Sequence, residues 1–328
     1  MKSIYSKTFA KYSPLFPVLL IALLVYGYIL RSNITVPEIM PSTQIDFWGR
    51  FGFSKNFLLE NSNLFFSVEF WISLLSIAAG FFLGMSLIGK TSGLVIATFL
   101  GIYPYYIANM YSTETISIFF FILFLFFQLQ ATINYSKPLS AFAGVFFMLA
   151  IICNPMYLFL GVITYIYQAI ASRNIAVLYN FLLFIGGALI VYIIYTIFLS
   201  FHPDNASFMT SIATTFNEFN RNFKIFTSGP LDYIKNNIMP LFKETLAYPA
   251  VYSESLNKFT YWHYLAIFSS IFGFLYSLIE EKARILTILS AIILIQAFFM
   301  SVNFGFLFLF VVMVGSYLID KVFNDVFC

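Results

Sequence analysis

The chain has 328 residues, of which 61% are hydrophobic and 9% charged, with a net charge of +3. A soluble domain of this composition would lack the polar surface to cover its core, so a lipid bilayer is the solvent that suits it. At about 20 apolar residues per span, up to about a dozen helices fit the length. A single all-α transmembrane domain over residues 1–328, without a separate soluble domain, therefore accounts for the chain.

In chain order, Lys2, Lys7 and Lys11 precede an apolar run from Pro14 to Leu30 that lacks a small-residue cleavage site. It reads as an uncleaved first span held with its lysines on the cytoplasmic side. Arg31-Ser32-Asn33 then opens a first external loop over residues 31–63. Spans follow near Leu64–Ile88, Ser92–Asn109 and Thr115–Ile133, with Lys90 and Lys137 at cytoplasmic turns.

Two shorter apolar segments, Leu139–Cys153 and Met156–Ala171, are separated by Asn154-Pro155. Together they are too long for one span at 1.5 Å per residue, so they read as a hairpin turning at the Asn-Pro on the outer side rather than as one kinked helix. Ile175–Phe201 then crosses outward. The polar stretch 202–261 is a long external segment whose Phe216, Phe219 and Phe223 give short interfacial helices an apolar face, broken at Gly229-Pro230.

Spans near Trp262–Ile279, Ile285–Val302 and Phe304–Ile319 complete a polytopic bundle of about ten, with both termini cytoplasmic. Nine basic residues fall inside and eight outside, but five of those eight lie in the long segment, where the positive-inside rule begins to lose force. With 44 Phe and 22 Tyr against 16 Gly, aromatic bulk is expected to fill the space between helices.

The sequence carries no phosphate-binding glycine loop, no HExxH, no Cys/His cluster and no nucleophile elbow, so no metal or cofactor is expected. Cys153 and Cys328 fall on opposite sides and are not expected to pair, and the C-terminal residues form no prenylation box. His202 and His263 lie at external helix ends, too far apart in sequence to suggest a metal site.

The informative polar residues gather at the outer face, where ionisable groups are costly and often functional. Asp46 sits in Gln44-Ile45-Asp46-Phe47-Trp48, and Glu114 in Tyr111-Ser112-Thr113-Glu114-Thr115. Each also has an ordinary reading: a solvated loop acid for Asp46 and a helix-dipole partner for Glu114. Glu69, beside Trp71, reads equally as an interfacial or paired acid.

From about Phe70 to Ala171 the order is a helix ending in Gly84 to Lys90, Ile102-Tyr103-Pro104-Tyr105-Tyr106, Glu114, a long apolar helix, Lys137, Ala143-Gly144 and Asn154-Pro155. This order resembles the integral-membrane glycosyltransferases of the C fold, particularly the protein-mannosyltransferase and aminoarabinose-transferase-like branch. The resemblance implies transfer of a sugar from a polyprenyl-phosphate donor to an acceptor at the outer face, with inversion. It also implies Asp46 as catalytic base and Glu114 as a second catalytic acid.

Arg50, Lys55, Glu69, His263, Arg221 and Lys224 are the candidate substrate-binding residues at that face. The sequence departs from the family pattern between Ile285 and Asp320, where no Lys, Arg or His occurs. It also lacks an acid adjacent to Asp46 and a His-Pro-rich stretch before the second span.

Two other functions fit the same residues: a non-catalytic glycosyltransferase-like subunit of a membrane protein complex, and a lipid or solute transporter. Expected partners are membrane lipid, the polyprenyl-phosphate sugar and protein neighbours, without nucleic acid. The expected location is a bacterial inner (plasma) membrane, although the Asn33-Ile34-Thr35 and Asn205-Ala206-Ser207 triplets do not separate it from eukaryotic reticulum.

Overall fold

The computed structural model describes residues 15–103, 106–107, 109–172, 175–200, 208–240, 260–279, 284–299 and 312–322. The described residues form helices and connections, with no strand among them. In order they are α1 Leu15–Ser32, α2 Ser42–Gly49, α3 Lys55–Glu60, α4 Ser62–Leu87, α5 Lys90–Ile102, α6 Thr113–Asn134 and α7 Lys137–Cys153. There follow α8 Tyr157–Ser172, α9 Ile175–Ser200, α10 Phe208–Ser228, α11 Pro230–Tyr233, α12 Thr260–Ile279, α13 Arg284–Phe299 and α14 over residues 312–322.

Four of these helices are long and apolar enough to cross a membrane, at Leu15–Ser32, Ser62–Leu87, Thr113–Asn134 and Tyr179–Ser200. Shorter apolar helices lie between them, including Lys90–Ile102 and Lys137–Cys153.

Side-chain pairings give the direction of each helix. Lys90 lies over the Phe16 ring at one end of α1 and α5, and Arg31 reaches the Leu100 and Gly101 carbonyls at the other, so these two helices run parallel. Gln130 bonds Ser86 at 2.8 Å and Phe126 meets Phe82, which sets α6 parallel to α4. α5 doubles back on α4 through Ile88-Gly89, and α7 doubles back on α6 through Tyr135-Ser136. Tyr135 makes the second reversal in the left-handed region at φ 50°, its N–H donating to the Ala131 carbonyl.

Ser140 donates to the Asn180 carbonyl at 2.7 Å, and Gly144 one turn on lies against Phe184 and Ala188. These pairs advance together, so α7 and α9 are parallel neighbours and α8 must return between them. The break at Asn154-Pro155 is therefore a reversal of direction. At 1.5 Å per residue the 16 residues of α8 extend about 24 Å.

The result is alternation. Helices α1, α5, α7 and α9 run one way, and α4, α6 and α8 the other. One end of the bundle carries Arg31, α2, α3, the connection from Tyr103 to Ser112 and the Asn154 turn. The other carries Phe16, Lys90, Tyr135 and Lys137.

Two sequence-based boundaries shift. The first helix continues through Ser32 and buries Arg31 completely, so Arg31 belongs to the packed bundle instead of opening a loop. Helix α5 stops at Ile102 rather than running to Asn109, because a residue preceding proline is pushed out of helical geometry, and Tyr103 before Pro104 has φ −64° and ψ 121°. The expected first external loop contains α2 and α3, joined through Gly52 at φ +88°, where the backbone passes the Phe198 side chain. The polar segment holds one 21-residue amphipathic helix, α10, before the Gly229-Pro230 break.

Aromatic rings fill the core as the composition leads one to expect. Phe124, Phe147 and Phe184 form a triangle across α6, α7 and α9, and Tyr165 of α8 closes it against Phe184. Where backbones touch instead, glycine is required: a Cβ at Gly187 would collide with the Ala141 backbone, while one at the adjacent Gly186 meets nothing within 4 Å.

This contrast yields a paired prediction. Gly187→Ala should lower the melting temperature in detergent, with a cost of about 1–3 kcal/mol for forcing a methyl against an unyielding backbone. Gly186→Ala should be neutral or raise it slightly, since alanine is favoured over glycine within a helix by up to about 1 kcal/mol.

Candidate functional site

The candidate site is built at the Asn154 end of the bundle. Helix α2 begins after Pro41, whose extended backbone (φ −61°, ψ 149°) sets the entry angle, and ends with Arg50 still in right-handed helical geometry. Asp46 and Arg50 are four apart and share one side of this helix; Gln44 and Trp48, two residues off in register, lie about 200° round it.

Helix α6 contributes its first two turns. Thr115 donates to the Asn109 carbonyl at 2.6 Å, fastening the preceding connection to the helix, and Ser117 donates to the Glu114 carbonyl at 2.8 Å. Glu114 lies in the first turn, where the helix dipole favours a carboxylate. The third wall is the α7–α8 turn: the Asn154 side-chain oxygen accepts the Met156 N–H at 3.1 Å, and Tyr157 N–H donates to the Asn154 carbonyl.

These elements enclose a cavity of about 350 Å³ lined by Asp46, Arg50, Thr113, Glu114, Ser117 and Asn154 among others, with Thr215 of α10 on the fourth side. Two carboxyl groups, one guanidinium and several hydroxyl and amide groups thus surround a space of the size that small-molecule ligands occupy. Such a lining can accept a hydroxyl proton and also meet an anionic group.

The sequence-predicted residues divide accordingly. Asp46, Glu114 and Arg50 are brought together on the cavity. Glu69 lies outside its wall, fully buried in α4, with Gln44 Nε2 donating to one carboxyl oxygen at 2.7 Å and Trp48 Nε1 to the other at 2.9 Å. Lys55 opens α3 with an exposed side chain, and Arg221 and Lys224 are exposed on α10. The His263 side chain and the whole of His202 lie outside the described residues.

Helix α10 docks by its aromatic face. Phe216 meets Phe159 of α8, Phe219 and Phe223 meet Phe299 of α13, and Asn222 donates to the Phe299 carbonyl at 2.9 Å. This docking carries Thr215 to the cavity. Tyr233, just beyond, donates to the Phe298 carbonyl at 2.6 Å, and its phenol pKa is raised by burial and, secondarily, by Glu218. Tyr111, in the α5–α6 connection, is likewise raised, first by burial and then by the nearby Glu69.

Sequence reasoning missed Thr113, Ser117, Thr215 and Gln44. The first two share Glu114's helical face at i−1 and i+3, a signal available in the sequence, whereas Thr215 and Gln44 acquire their places only through tertiary packing. In comparisons with known proteins, the chain matches no family model and no curated protein.

The placement of the site makes a topological prediction. In a Cys328→Ser background, Asp46→Cys and Arg221→Cys should react with a membrane-impermeant maleimide from the same side of the membrane. Tyr135→Cys, exposed at the opposite end of the bundle, should react only from the other side.

Proposed function

We propose that this chain is a glycosyltransferase-like membrane enzyme that moves a sugar from a polyprenyl-phosphate donor to an acceptor hydroxyl at the outer face of a bacterial inner membrane. It would cross that membrane about ten times, with both termini in the cytoplasm and a C-type glycosyltransferase bundle. The observation that carries the reading is the convergence of Asp46, Glu114 and Arg50 on one cavity at the end of the bundle. Asp46 and Arg50 come from one short helix and Glu114 from the head of a distant one, and their types are those the reaction needs.

In the reaction, Asp46 accepts the proton of the acceptor hydroxyl as its oxygen bonds to the anomeric carbon. The bond from that carbon to the phosphate oxygen breaks, and the electron pair leaves with the polyprenyl phosphate. Arg50 meets the charge gained by the departing phosphate through charge-assisted hydrogen bonds. Glu114 orients the acceptor from the opposite wall. Attack from the face opposite the leaving group inverts the anomeric centre.

The test is transfer of labelled sugar by the purified full chain across several polyprenyl-phosphate donors. Asp46→Asn should reduce kcat by about 100-fold or more, the usual scale for removing a general base. Arg50→Gln should lower kcat/KM while leaving the fold intact. Absence of turnover by the wild-type chain with every donor would remove the enzyme reading and leave the non-catalytic subunit in its place.

A further inference from the structure

Glu69 is a fully buried carboxyl group two turns into α4, outside the cavity wall, and the transfer step leaves it without a role. Its two oxygens are engaged by two side chains of α2, Gln44 at 2.7 Å and Trp48 at 2.9 Å. Those residues bracket Asp46 in sequence and lie one helical turn apart, on the opposite side of α2 from the pair Asp46 and Arg50. Rotation of α2 about its own axis would break both bonds to Glu69 and carry Asp46 and Arg50 away from the cavity together.

The Gln44 amide nitrogen lies between two acceptors, Glu69 and the Tyr111 carbonyl. Its own oxygen is left buried without a hydrogen-bond partner. The Tyr111 contact also ties α2 to the connection leading to Glu114, the residue on the facing wall.

We propose that Glu69 is a positioning residue for the transfer reaction assigned above: through Gln44 and Trp48 it fixes the rotation of α2 and so holds Asp46 and Arg50 toward the cavity, an inference that rests on that functional reading. It touches no substrate. Its replacement misplaces the base and the cation as a unit without removing either.

The experiment has two arms. In the first, Trp71→Phe and Trp262→Phe leave Trp48 as the sole tryptophan, and its emission and quenching by aqueous iodide are read in the purified full chain. Glu69→Leu should shift the emission and alter quenching, and Glu69→Gln, which keeps an acceptor for Trp48, should fall between it and the parent. Gln44→Leu, which disturbs the anchor from the other side, should move the signal in the same direction even where Glu69→Leu folds poorly.

In the second arm, labelled-sugar transfer by Glu69→Leu should show kcat lower by roughly 10–100-fold with the donor KM within about threefold, the pattern of misoriented catalytic groups in an otherwise intact site. Glu69→Gln should recover part of the loss. Trp48 signals unchanged in both Glu69→Leu and Gln44→Leu would overturn the proposal, as would a loss carried wholly by KM. If the wild-type chain transfers no sugar, the functional reading fails by itself, and the Trp48 arm alone decides whether Glu69 fixes α2.

Discussion

Where α5 ends at Ile102, Pro104 has no N–H to offer the Leu100 carbonyl, and the Arg31 guanidinium donates to it and to the Gly101 carbonyl inside the packed bundle. Nη2 donates to Leu100 at 2.8 Å, Nη1 to Gly101 at 3.2 Å and to Gly27 within its own helix, and Nε to Ser73 at 2.9 Å. A buried cation is costly, but here it meets the negative end of a helix dipole and lies 5.9 Å from the Tyr106 ring centroid. Three helices, α1, α4 and α5, are joined by this one side chain. Because α5 can stop there, the connection from Tyr103 to Ser112 can turn inward, where Tyr106 donates to Ser76 at 2.8 Å and the Tyr111 carbonyl receives Gln44. The wall of the cavity formed by Glu114 follows from that turn.

Around this junction, packing uses two regimes. Flat rings fill the wider gaps, as between Phe121 and Tyr157 with centroids 4.5 Å apart, and glycine admits backbone contact in the narrow ones, as where Gly84 lies on the Gly93 backbone. Short hairpin connections at Gly89 and Tyr135 hold α4–α5 and α6–α7 close at one end. At the other, longer connections leave room for α2, α3 and α10 and for the cavity between them.

Much of this was legible in the sequence because helix periodicity, proline and charge act locally. The alternation of helices, the reversal at Asn154-Pro155 and the amphipathic character around Phe216, Phe219 and Phe223 all rest on signals within a few residues of each other, whereas setting Asp46 beside Glu114 rested on the predicted topology and the family resemblance. Arg31 was misread because an arginine after an apolar run is the ordinary mark of a membrane boundary. Its burial depends on Gly27, four residues earlier, leaving space that only the packed neighbours Leu74 and Ile77 define. The stop of α5 was present in Tyr103-Pro104 but was outweighed by the apolar run. Thr215 and Gln44 gave no local sign, since their places depend on where α10 and α2 dock.

Asp46, Glu69 and Glu114 sit in three different environments at this end. Glu69 is fully buried, and its two oxygens accept N–H groups from Gln44 and Trp48 of α2. Asp46 is exposed and lines the cavity. Glu114 is half-buried in the first turn of α6, on the facing wall of the cavity. The same short helix thus turns Gln44 and Trp48 to a buried carboxyl group and Asp46 and Arg50 to the cavity. An eight-residue helix has little of its own to fix its rotation, and the two bonds to Glu69 supply that second attachment.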